Sequence, residues 1–394
     1  MTDLLLRNVR PYGRAPVDVL VRDGFIATMA AGIPADGVIV EDGMGGLLLP
    51  GLIEGHTHLD KTLWGLPWYR NAVGPRLEDR IDNERAFRAA SGHDAAAASR
   101  RLAEAFLASG TMHIRTHVDI DTEAGLKHLR GVLETRAALA GRMEIQIVAF
   151  PQSGLLIRPG TDALLDRALM EGADLVGGLD PCGIDRDAVR SLDVVFGLAE
   201  RHGKGIDIHL HEPDETGAFS LDLILERTAA LCMQGRVVVS HAFCLGSVPV
   251  ARRDALLARM AELRVAIATT APASRPVPPV AVCKAAGVTI FGGNDGIRDT
   301  WTPHGRPDML HRAMLIALRN DFRRDDELEA ALHCVTDAAA AGCGFTAYGL
   351  QPGARADLVL LDAETIAEAV AAQPPRRLVV ANGQVVARGA ALLS

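Results

Sequence analysis

The chain has 394 residues, of which 48% are hydrophobic and 23% charged, so it can bury the core of a large globular protein. Its net charge of -8 and its lack of any basic block argue against a nucleic-acid-binding surface and favour a small-molecule partner. The six cysteines lack C-x-x-C spacing, no signal-peptide pattern opens the sequence, and no segment approaches the roughly 20 apolar residues of a membrane span. We therefore expect a cytoplasmic protein with no nucleic-acid or membrane partner.

Both ends of the chain predict a small β unit. Short apolar runs alternate with Gly and Pro turns in residues 1–49, and the segment 349–394 has the same texture. Asn382-Gly383 lies between two apolar runs and is a strong hairpin signal. Because neither segment is long enough for a core of its own, we predict that the two pack together as one composite β-sandwich domain. The predicted strands are 4–6, 17–21, 25–27, 38–40, 356–362, 377–381 and 384–387.

The segment 50–348 alternates strand-like apolar runs with helical stretches such as 94–109 and 251–263. Eight such βα units predict a (β/α)8 TIM-type barrel that forms the catalytic domain. A doubly wound open sheet is the alternative, but no Gly-x-Gly-x-x-Gly turn follows any of the runs. The predicted barrel strands are 50–58, 112–119, 144–152, 174–180, 205–212, 236–243, 264–270 and 289–296.

Polar side chains follow these predicted strands where each strand stops. The carboxyl ends of barrel strands carry the chemistry of such folds, so these residues are expected to meet at one face. His56 and His58 are one residue apart and point to the same side of a strand, as two ligands of zinc or ferrous iron do. A buried charge without a partner is costly, whereas a metal or a substrate satisfies it. The set is His56, His58, His117, Gln152, Asp180, His209, His211, Glu212, His241 and Asp295.

Single members of this set also have a simpler interpretation. Taken alone, His117, Asp180 and the neighbouring His113 are more easily explained as satisfied core residues or as supports for a metal ligand. The recurrence of His, Asp and Glu at successive strand ends is what packing alone does not explain.

The motifs at these strand ends resemble the amidohydrolase superfamily, and specifically its cytosine deaminase-like branch. The resemblance covers nearly the whole chain in the right order. The matching segments are Pro-Gly-Leu-Ile-Glu-Gly-His-Thr-His-Leu-Asp (50–60), Arg-Thr-His-Val-Asp (115–119), Gln-Ile-Val-Ala-Phe-Pro-Gln-Ser-Gly (146–154), Ile-Asp-Ile-His-Leu-His-Glu (206–212), Val-Ser-His-Ala (239–242), Asn-Asp-Gly-Ile-Arg-Asp-Thr-Trp (294–301) and the closing segment 349–362.

This resemblance implies a role for each matching residue. One divalent metal ion, zinc or iron, is expected to be held by His56, His58, His209 and Asp295. His241 is expected beside the metal-bound water, and Glu212 matches the glutamate that transfers protons in the family. Gln152 matches a glutamine that hydrogen-bonds the amide edge of the pyrimidine, and Trp301 matches an aromatic residue of the pocket wall.

The chemistry of these residue types agrees with hydrolytic deamination of a cyclic amidine. A metal held by three His and one carboxylate lowers the pKa of bound water from ~16 toward ~7. Glu212 is then the expected proton donor and shuttle, while Asp295 and His241 orient the water and accept its proton. Relatives with two metals bridge them through a carbamylated lysine on the fourth strand, and the segment 174–184 has no lysine. One metal is therefore expected.

Three positions depart from cytosine deaminases. Gly296 stands where these enzymes have a second aspartate after the metal ligand, Lys61 follows the His-x-His-Leu-Asp motif, and His211 is an extra histidine. Lys61 and His211 make the chain look closer to the N-isopropylammelide amidohydrolases of triazine breakdown. Lys61 either forms a surface ion pair with Asp60 or lies at the pocket, and both it and His211 are candidate substrate-binding residues.

Three alternatives to a cytosine deaminase-like aminohydrolase stay open. The first is hydrolysis of an N-alkyl aminotriazine of the ammelide type. The second is hydrolysis of a cyclic amide, against which Glu212 and Gln152 argue. The third, of a different class, is a non-catalytic metal-binding scaffold. In each enzymatic case the partner is a small heterocyclic substrate, and a homo-oligomer is expected because large barrels of this kind often associate.

Overall fold

The computed structural model describes residues 3–393. Five short strands form the first part of the chain. These strands are β1 (Leu4–Pro11), β2 (Val17–Arg22), β3 (Phe25–Ala30), β4 (Ile39–Asp42) and β5 (Leu47–Pro50). The pair β1 and β2 is antiparallel, with Leu4 opposite Val21. Leu4, Leu6 and Val21 are buried on one face of this pair, and Leu5 and Leu20 are buried with Ile33 on the other, so the pair is covered on both faces.

Eight parallel strands then form a barrel in simple sequential order. They are β6 (Leu52–Thr57), β7 (Thr111–Asp119), β8 (Glu144–Phe150), β9 (Leu175–Leu179), β10 (Gly205–His209), β11 (Val237–Ser240), β12 (Ala266–Thr269) and β13 (Ile290–Gly292). The barrel closes between its first strand and the residues that follow its last strand. There Asp295 N donates to His56 O at 2.8 Å, and Thr57 Oγ1 donates to Asp295 O at 3.0 Å.

Helices surround this barrel and connect its strands. They are α1 (Leu77–Ser91), α2 (Ala95–Ala108), α3 (Lys127–Ala138), α4 (Thr161–Glu171), α5 (Ala188–His202), α6 (Asp214–Ala230), α7 (Val250–Glu262), α8 (Val280–Ala285), α9 (Met309–Arg319), α10 (Asp325–His333) and α11 (Asp337–Cys343). Their buried faces carry aliphatic and aromatic residues such as Leu102, Phe106 and Phe196, which pack on the apolar outer faces of the strands. Within residues 3–393, no helix combines the length and the apolarity that crossing a membrane requires.

The end of the chain returns to the small sheet. Its elements are β14 (Leu358–Leu361), α12 (Ile366–Ala372), β15 (Arg376–Ala381), β16 (Gln384–Arg388) and β17 (Ala391–Leu392). The strand order is β17-β16-β15-β14-β5-β1-β2-β3, with β4 paired to β1, so strands from both termini form one sheet. The predicted composite β unit is therefore confirmed. Asn382-Gly383 makes the hairpin turn between β15 and β16, as predicted.

The predicted fold class, a barrel with a small β unit built from both termini, is confirmed. All eight predicted barrel strands are present, but the predicted strand 205–212 ends early, at His209, and 236–243 ends at Ser240. Beyond Ser240 the backbone leaves the sheet ladder, since His241 has a φ of 70°. The boundary between the two domains stays a prediction; β5 ends at Pro50 in the small sheet and β6 begins at Leu52 in the barrel.

Helix α1 is an element that the sequence pattern did not indicate. Its residues are mostly polar, and its buried positions include Glu84 and Arg88 beside Ile81. A helix that buries charged residues shows no apolar stripe, so hydrophobic periodicity does not reveal it. Carboxylates and an ammonium group at the mouth of the barrel pair with the buried charged residues of α1. Helix α1 therefore lies beside the candidate site.

Candidate active site at the mouth of the barrel

A cavity of about 960 Å3 lies at the carboxyl ends of the barrel strands. This is the face where barrel enzymes place their catalytic residues. The residues predicted for the site that line it are His58, Lys61, Gln152, His209, His211, His241, Asp295 and Trp301. His56 is completely buried directly behind this wall, and Glu212 is outside the lining.

Four of the predicted residues form a compact group of metal-binding type. One ligand atom from each of His56, His58, His209 and Asp295 lies within 4.8 Å of the others. His58 Nε2 is 3.2 Å from Asp295 Oδ1, and His56 Nε2 is 3.8 Å from the same oxygen. Burial lowers the pKa of His56 and of His209 well below the usual range, so both imidazoles are neutral. Neutral imidazole is the form that coordinates a metal.

Several ring nitrogens in this group and in the neighbouring His241 have no hydrogen-bond partner among the residues described. Among the residues described, His56 Nε2, both ring nitrogens of His209 and His241 Nε2 are buried and unpaired. Burial of so many unpaired polar atoms at one point is costly, and native proteins avoid it unless a ligand satisfies the atoms. Three imidazoles and one carboxylate are a common donor set for zinc and related divalent ions. The residues present therefore fit a single divalent metal.

A chain of hydrogen bonds behind the cavity determines which nitrogen of His56 faces the metal position. His56 Nδ1 is 2.8 Å from Ser240 Oγ, and Ser240 Oγ donates to Asp207 Oδ1 at 2.6 Å. Burial raises the pKa of Asp207, but His117 and Arg115 outweigh it and hold the pKa below its usual value, so the carboxylate only accepts. Since Ser240 gives its one proton to Asp207, it must accept a proton from His56 Nδ1. The lone pair of His56 is therefore on Nε2.

His117 belongs to the same buried layer. Its Nε2 is 3.3 Å from Asp207 Oδ1, and its ring lies 4.2 Å from the ring of His56, centre to centre. Arg115 donates to Asp207 Oδ2 at 3.1 Å from the other side. His117 is not among the residues that line the cavity. This placement matches the simpler interpretation of His117 as a support for a metal ligand.

His211 and His241 form a stacked pair at the cavity. Their ring centres are 4.3 Å apart with an interplanar angle of 28°. His211 Nδ1 is 2.8 Å from Asp180 Oδ2, and its backbone N–H donates to Asp180 Oδ1 at 2.6 Å. Burial lowers the pKa of His211, but Asp180 outweighs burial and raises it above its usual value. Asp180 thus keeps the proton on Nδ1 and leaves Nε2 as the atom that exchanges protons.

Glu212, predicted to transfer protons, is not among the residues that line the cavity. Its Oε1 accepts hydrogen bonds from the backbone N–H groups of Cys182, at 2.8 Å, and Gly183, at 2.6 Å, and its Oε2 accepts one from Ser220. These three donors hold the carboxylate against the loop after β9, away from the cavity. The proton-transfer role predicted for Glu212 stays an untested prediction that this geometry does not favour.

Lys61 lies at the cavity and is not a surface residue. Its side chain is only 5% exposed, and its Nζ is 3.3 Å from Asp119 Oδ1 and 3.4 Å from Glu84 Oε1. The same Nζ donates to Gln152 Oε1. The alternative of a surface ion pair with Asp60 is wrong, because Asp60 is itself buried and accepts a hydrogen bond from His128 Nδ1 at 2.7 Å.

Asp299 is a cavity residue that the sequence interpretation missed. Its Oδ1 accepts hydrogen bonds from Trp301 N at 2.8 Å and Thr302 N at 2.9 Å, and a Cβ built on Gly296 would lie 2.1 Å from its Oδ2. The carboxyl group of Asp299 therefore takes the space that a side chain at 296 needs. Its position inside the Asn-Asp-Gly-Ile-Arg-Asp motif was the available signal, but the turn that folds it back is a tertiary feature.

The chain resembles known proteins over almost its whole length. It matches the model of the amidohydrolase family over residues 40–387. It is 30% identical over 358 residues to an N-isopropylammelide isopropyl amidohydrolase of Pseudomonas sp. strain ADP, a match that covers 88% of this chain and 87% of that protein. Two crystal structures extend the comparison to the fold.

The first is N-isopropylammelide isopropylaminohydrolase from Burkholderia multivorans, with a TM-score of 0.98 and 65% identity over 100% of both chains. The second is 5-methylcytosine deaminase from Klebsiella pneumoniae liganded with 5-fluorocytosine, with a TM-score of 0.87 and 28% identity over 97% of each chain. These matches span both the barrel and the small sheet. The chain therefore belongs to the amidohydrolase family of metal-dependent hydrolases that act on carbon–nitrogen bonds.

Proposed function

We propose that this protein is a metal-dependent aminohydrolase that removes an alkylamine from an N-alkyl aminotriazine of the ammelide type. One observation carries the proposal: three of the four candidate metal ligands, His58, His209 and Asp295, line the same cavity as the Lys61–Gln152 pair. The names of the relatives from Pseudomonas and Burkholderia support this ring type. This order differs from the sequence interpretation, which placed cytosine first.

In this proposal His56, His58, His209 and Asp295 hold one divalent ion. The ion supplies a water activated for attack at neutral pH when it is bound. The hydrogen bond that His56 Nδ1 donates to Ser240 keeps the Nε2 lone pair of His56 directed at the ion. Asp295 is 37% exposed toward the cavity, and its Oδ2 is 3.9 Å from His241 Nε2. Asp295 and His241 are therefore placed to accept the proton that the attacking water loses.

The reaction forms one carbon–oxygen bond and breaks one carbon–nitrogen bond. The water oxygen adds to the ring carbon that bears the amine, and the departing nitrogen needs a proton to leave as a neutral amine. His211 is placed to deliver this proton from Nε2, because Asp180 favours its protonated form and its ring stacks on His241. Gln152 and Lys61, which line the same cavity, orient the ring.

The second candidate is deamination of a cytosine-type ring. The likeness to 5-methylcytosine deaminase over 97% of both chains supports it, as do Gln152 and Trp301 at the cavity. Against it, Gly296 replaces the second aspartate of cytosine deaminases, and the carboxyl group of Asp299 fills the adjacent space. The two candidates share the reaction type and differ in the ring.

Amine release tests the proposal. Zinc-loaded wild-type protein is assayed with N-isopropylammelide, ammelide, cytosine, 5-methylcytosine and a cyclic amide such as hydantoin, beside His211→Gln and Glu212→Gln. We expect isopropylamine from N-isopropylammelide, and a fall in kcat of roughly 100-fold or more in His211→Gln, the range for loss of general acid–base catalysis. Glu212→Gln is expected to retain most of kcat and to lose thermal stability, because an amide replaces a carboxylate that accepts three hydrogen bonds.

Each other outcome contradicts a different part of the proposal. A larger loss of kcat in Glu212→Gln than in His211→Gln restores Glu212 as the proton-transferring residue. Turnover of cytosine alone favours the second candidate, and turnover of the cyclic amide alone favours the amide hydrolase. One bound zinc per chain with no turnover of any ring favours the remaining alternative, a non-catalytic metal-binding scaffold.

A further inference from the structure

Lys61 and Gln152 form one wall of the cavity, and the contact between them is direct. Lys61 Nζ donates to Gln152 Oε1 and also lies 5.4 Å from the centre of the Trp301 ring. Asp119 and Glu84 approach the same nitrogen from the side away from the cavity. Burial lowers the pKa of Lys61, but these carboxylates outweigh burial and raise it, so the group is an ammonium ion.

The ammonium ion determines how the amide of Gln152 is oriented. An ammonium group has three donors and no acceptor, whereas an amide has one oxygen that accepts and one NH2 that donates. The oxygen of Gln152 must therefore face Lys61, and the NH2 group must face the cavity. Within residues 3–393 this Nε2 has no acceptor from the protein. The amide of a glutamine can in general donate or accept, but the amide of Gln152 can only donate toward the cavity.

The edge of an azine ring opposite the departing amine differs between the two candidate ring types. In cytosine this edge carries an N–H bonded to a single carbonyl carbon, and it remains a donor at neutral pH. In a 2,4-dioxo-1,3,5-triazine the corresponding N–H lies between two carbonyls, and the charge of its conjugate base spreads over both oxygens. That N–H is far more acidic, and once it is lost the edge presents acceptors only.

We propose that Lys61 determines the ring specificity of the site by restricting Gln152 to donation, so that the site binds dioxo-azines as their imide anions; this rests on the proposed function. A ring N–H opposite the NH2 of Gln152 puts two donors face to face, and sites built on a polar partner reject rings that lack it by large factors.

Asp299 is a further charged group of the cavity, and it lies close enough to Lys61 to raise the pKa of the ammonium group. Its Oδ1 already accepts hydrogen bonds from Trp301 N and Thr302 N, and its Oδ2 lies against Gly296. Among the residues described, Asp299 makes no hydrogen bond to Gln152, so Lys61 alone sets the orientation of that amide.

The test compares the turnover of two rings by the wild type and by two variants. The ratio of kcat/KM for N-isopropylammelide to that for cytosine is measured for zinc-loaded wild type, Lys61→Met and Arg88→Met. Arg88 pairs with the same Asp119 at 2.6 Å but does not contact Gln152, so Arg88→Met is the matched control. We expect the ratio to fall at least roughly tenfold in Lys61→Met, because Gln152 can then rotate and accept, and to stay unchanged in Arg88→Met.

Binding provides a readout that does not need turnover or a folded variant. Calorimetry measures the affinity of zinc-loaded wild type for cyanuric acid, which ionises near neutral pH, and for uracil, which remains neutral. We expect cyanuric acid to bind at least roughly tenfold more tightly. Equal affinity for the two rings, or an unchanged ratio in Lys61→Met, overturns the assignment. Preference for cyanuric acid without amine release from any ring overturns the proposed function and leaves this specificity standing.

Discussion

The hydrogen bond that His56 donates to Ser240 gives a sharp prediction about metal affinity. Ser240→Ala removes the hydroxyl that accepts from His56 Nδ1 at 2.8 Å and donates to Asp207 at 2.6 Å. The imidazole of His56 is then free to rotate and to move its proton to Nε2, which blocks coordination. Loss of such an indirect partner typically weakens metal binding about 10- to 100-fold, which corresponds to about 1.4–2.7 kcal/mol. We expect a loss of zinc affinity in this range.

The assay is competition for zinc between the metal-free protein and a chromophoric chelator of known affinity. Ser191→Ala is the matched control, because Ser191 is also buried and its hydroxyl donates to the carboxylate of Asp185 at 2.7 Å, outside the cavity. Both variants lose one hydroxyl–carboxylate bond and about 1–3 kcal/mol of stability. Zinc affinity is expected to fall only in Ser240→Ala. Equal zinc affinity in the two variants refutes the reasoning about the His56 proton.

Three further predictions concern other parts of the site. Gly296→Ala places a Cβ 2.1 Å from Asp299 Oδ2, so amine release should fall about 100-fold with zinc content unchanged, whereas normal turnover contradicts the role assigned to this contact. Arg88→Met removes the buried guanidinium that pairs with both Asp119 and Asp121 and should cost about 3–5 kcal/mol in urea unfolding; an unchanged midpoint is evidence against the ion-pair network. Zinc at 100 times its Kd should stabilise the metal-free protein by about 2.7 kcal/mol in calorimetry, and the gain should be absent in His209→Ala.

Much of the fold was predictable because its signals are local. The barrel strands are mostly apolar runs of three to nine residues that are buried on both sides, and such runs are visible without any knowledge of neighbours. The pairing of His56 with His58 was predicted from the two-residue repeat of a strand, and it holds although β6 ends at Thr57, one residue before His58. Asn382-Gly383 marks its hairpin for the same kind of reason, since the turn requires residues that accept positive φ.

The residues after the strands were harder to assign than the strands themselves. β10 ends at His209, so the period of the strand no longer governs His211 and Glu212. Which of the two side chains turns into the cavity is decided by distant partners. Asp180 binds His211 at the cavity, while the loop that contains Gly183 holds Glu212 away from it.

The sequence by itself determined the barrel, the small sheet of both termini and the set of residues that meet at the candidate metal site, because these follow from hydrophobic periodicity and from the position of polar residues at strand ends. Only the tertiary structure decided the orientation of groups within that site: the proton on His56, the burial of Lys61 and the amide of Gln152. These depend on hydrogen bonds between residues from 91 to 184 positions apart, and a local pattern carries no information about such partners.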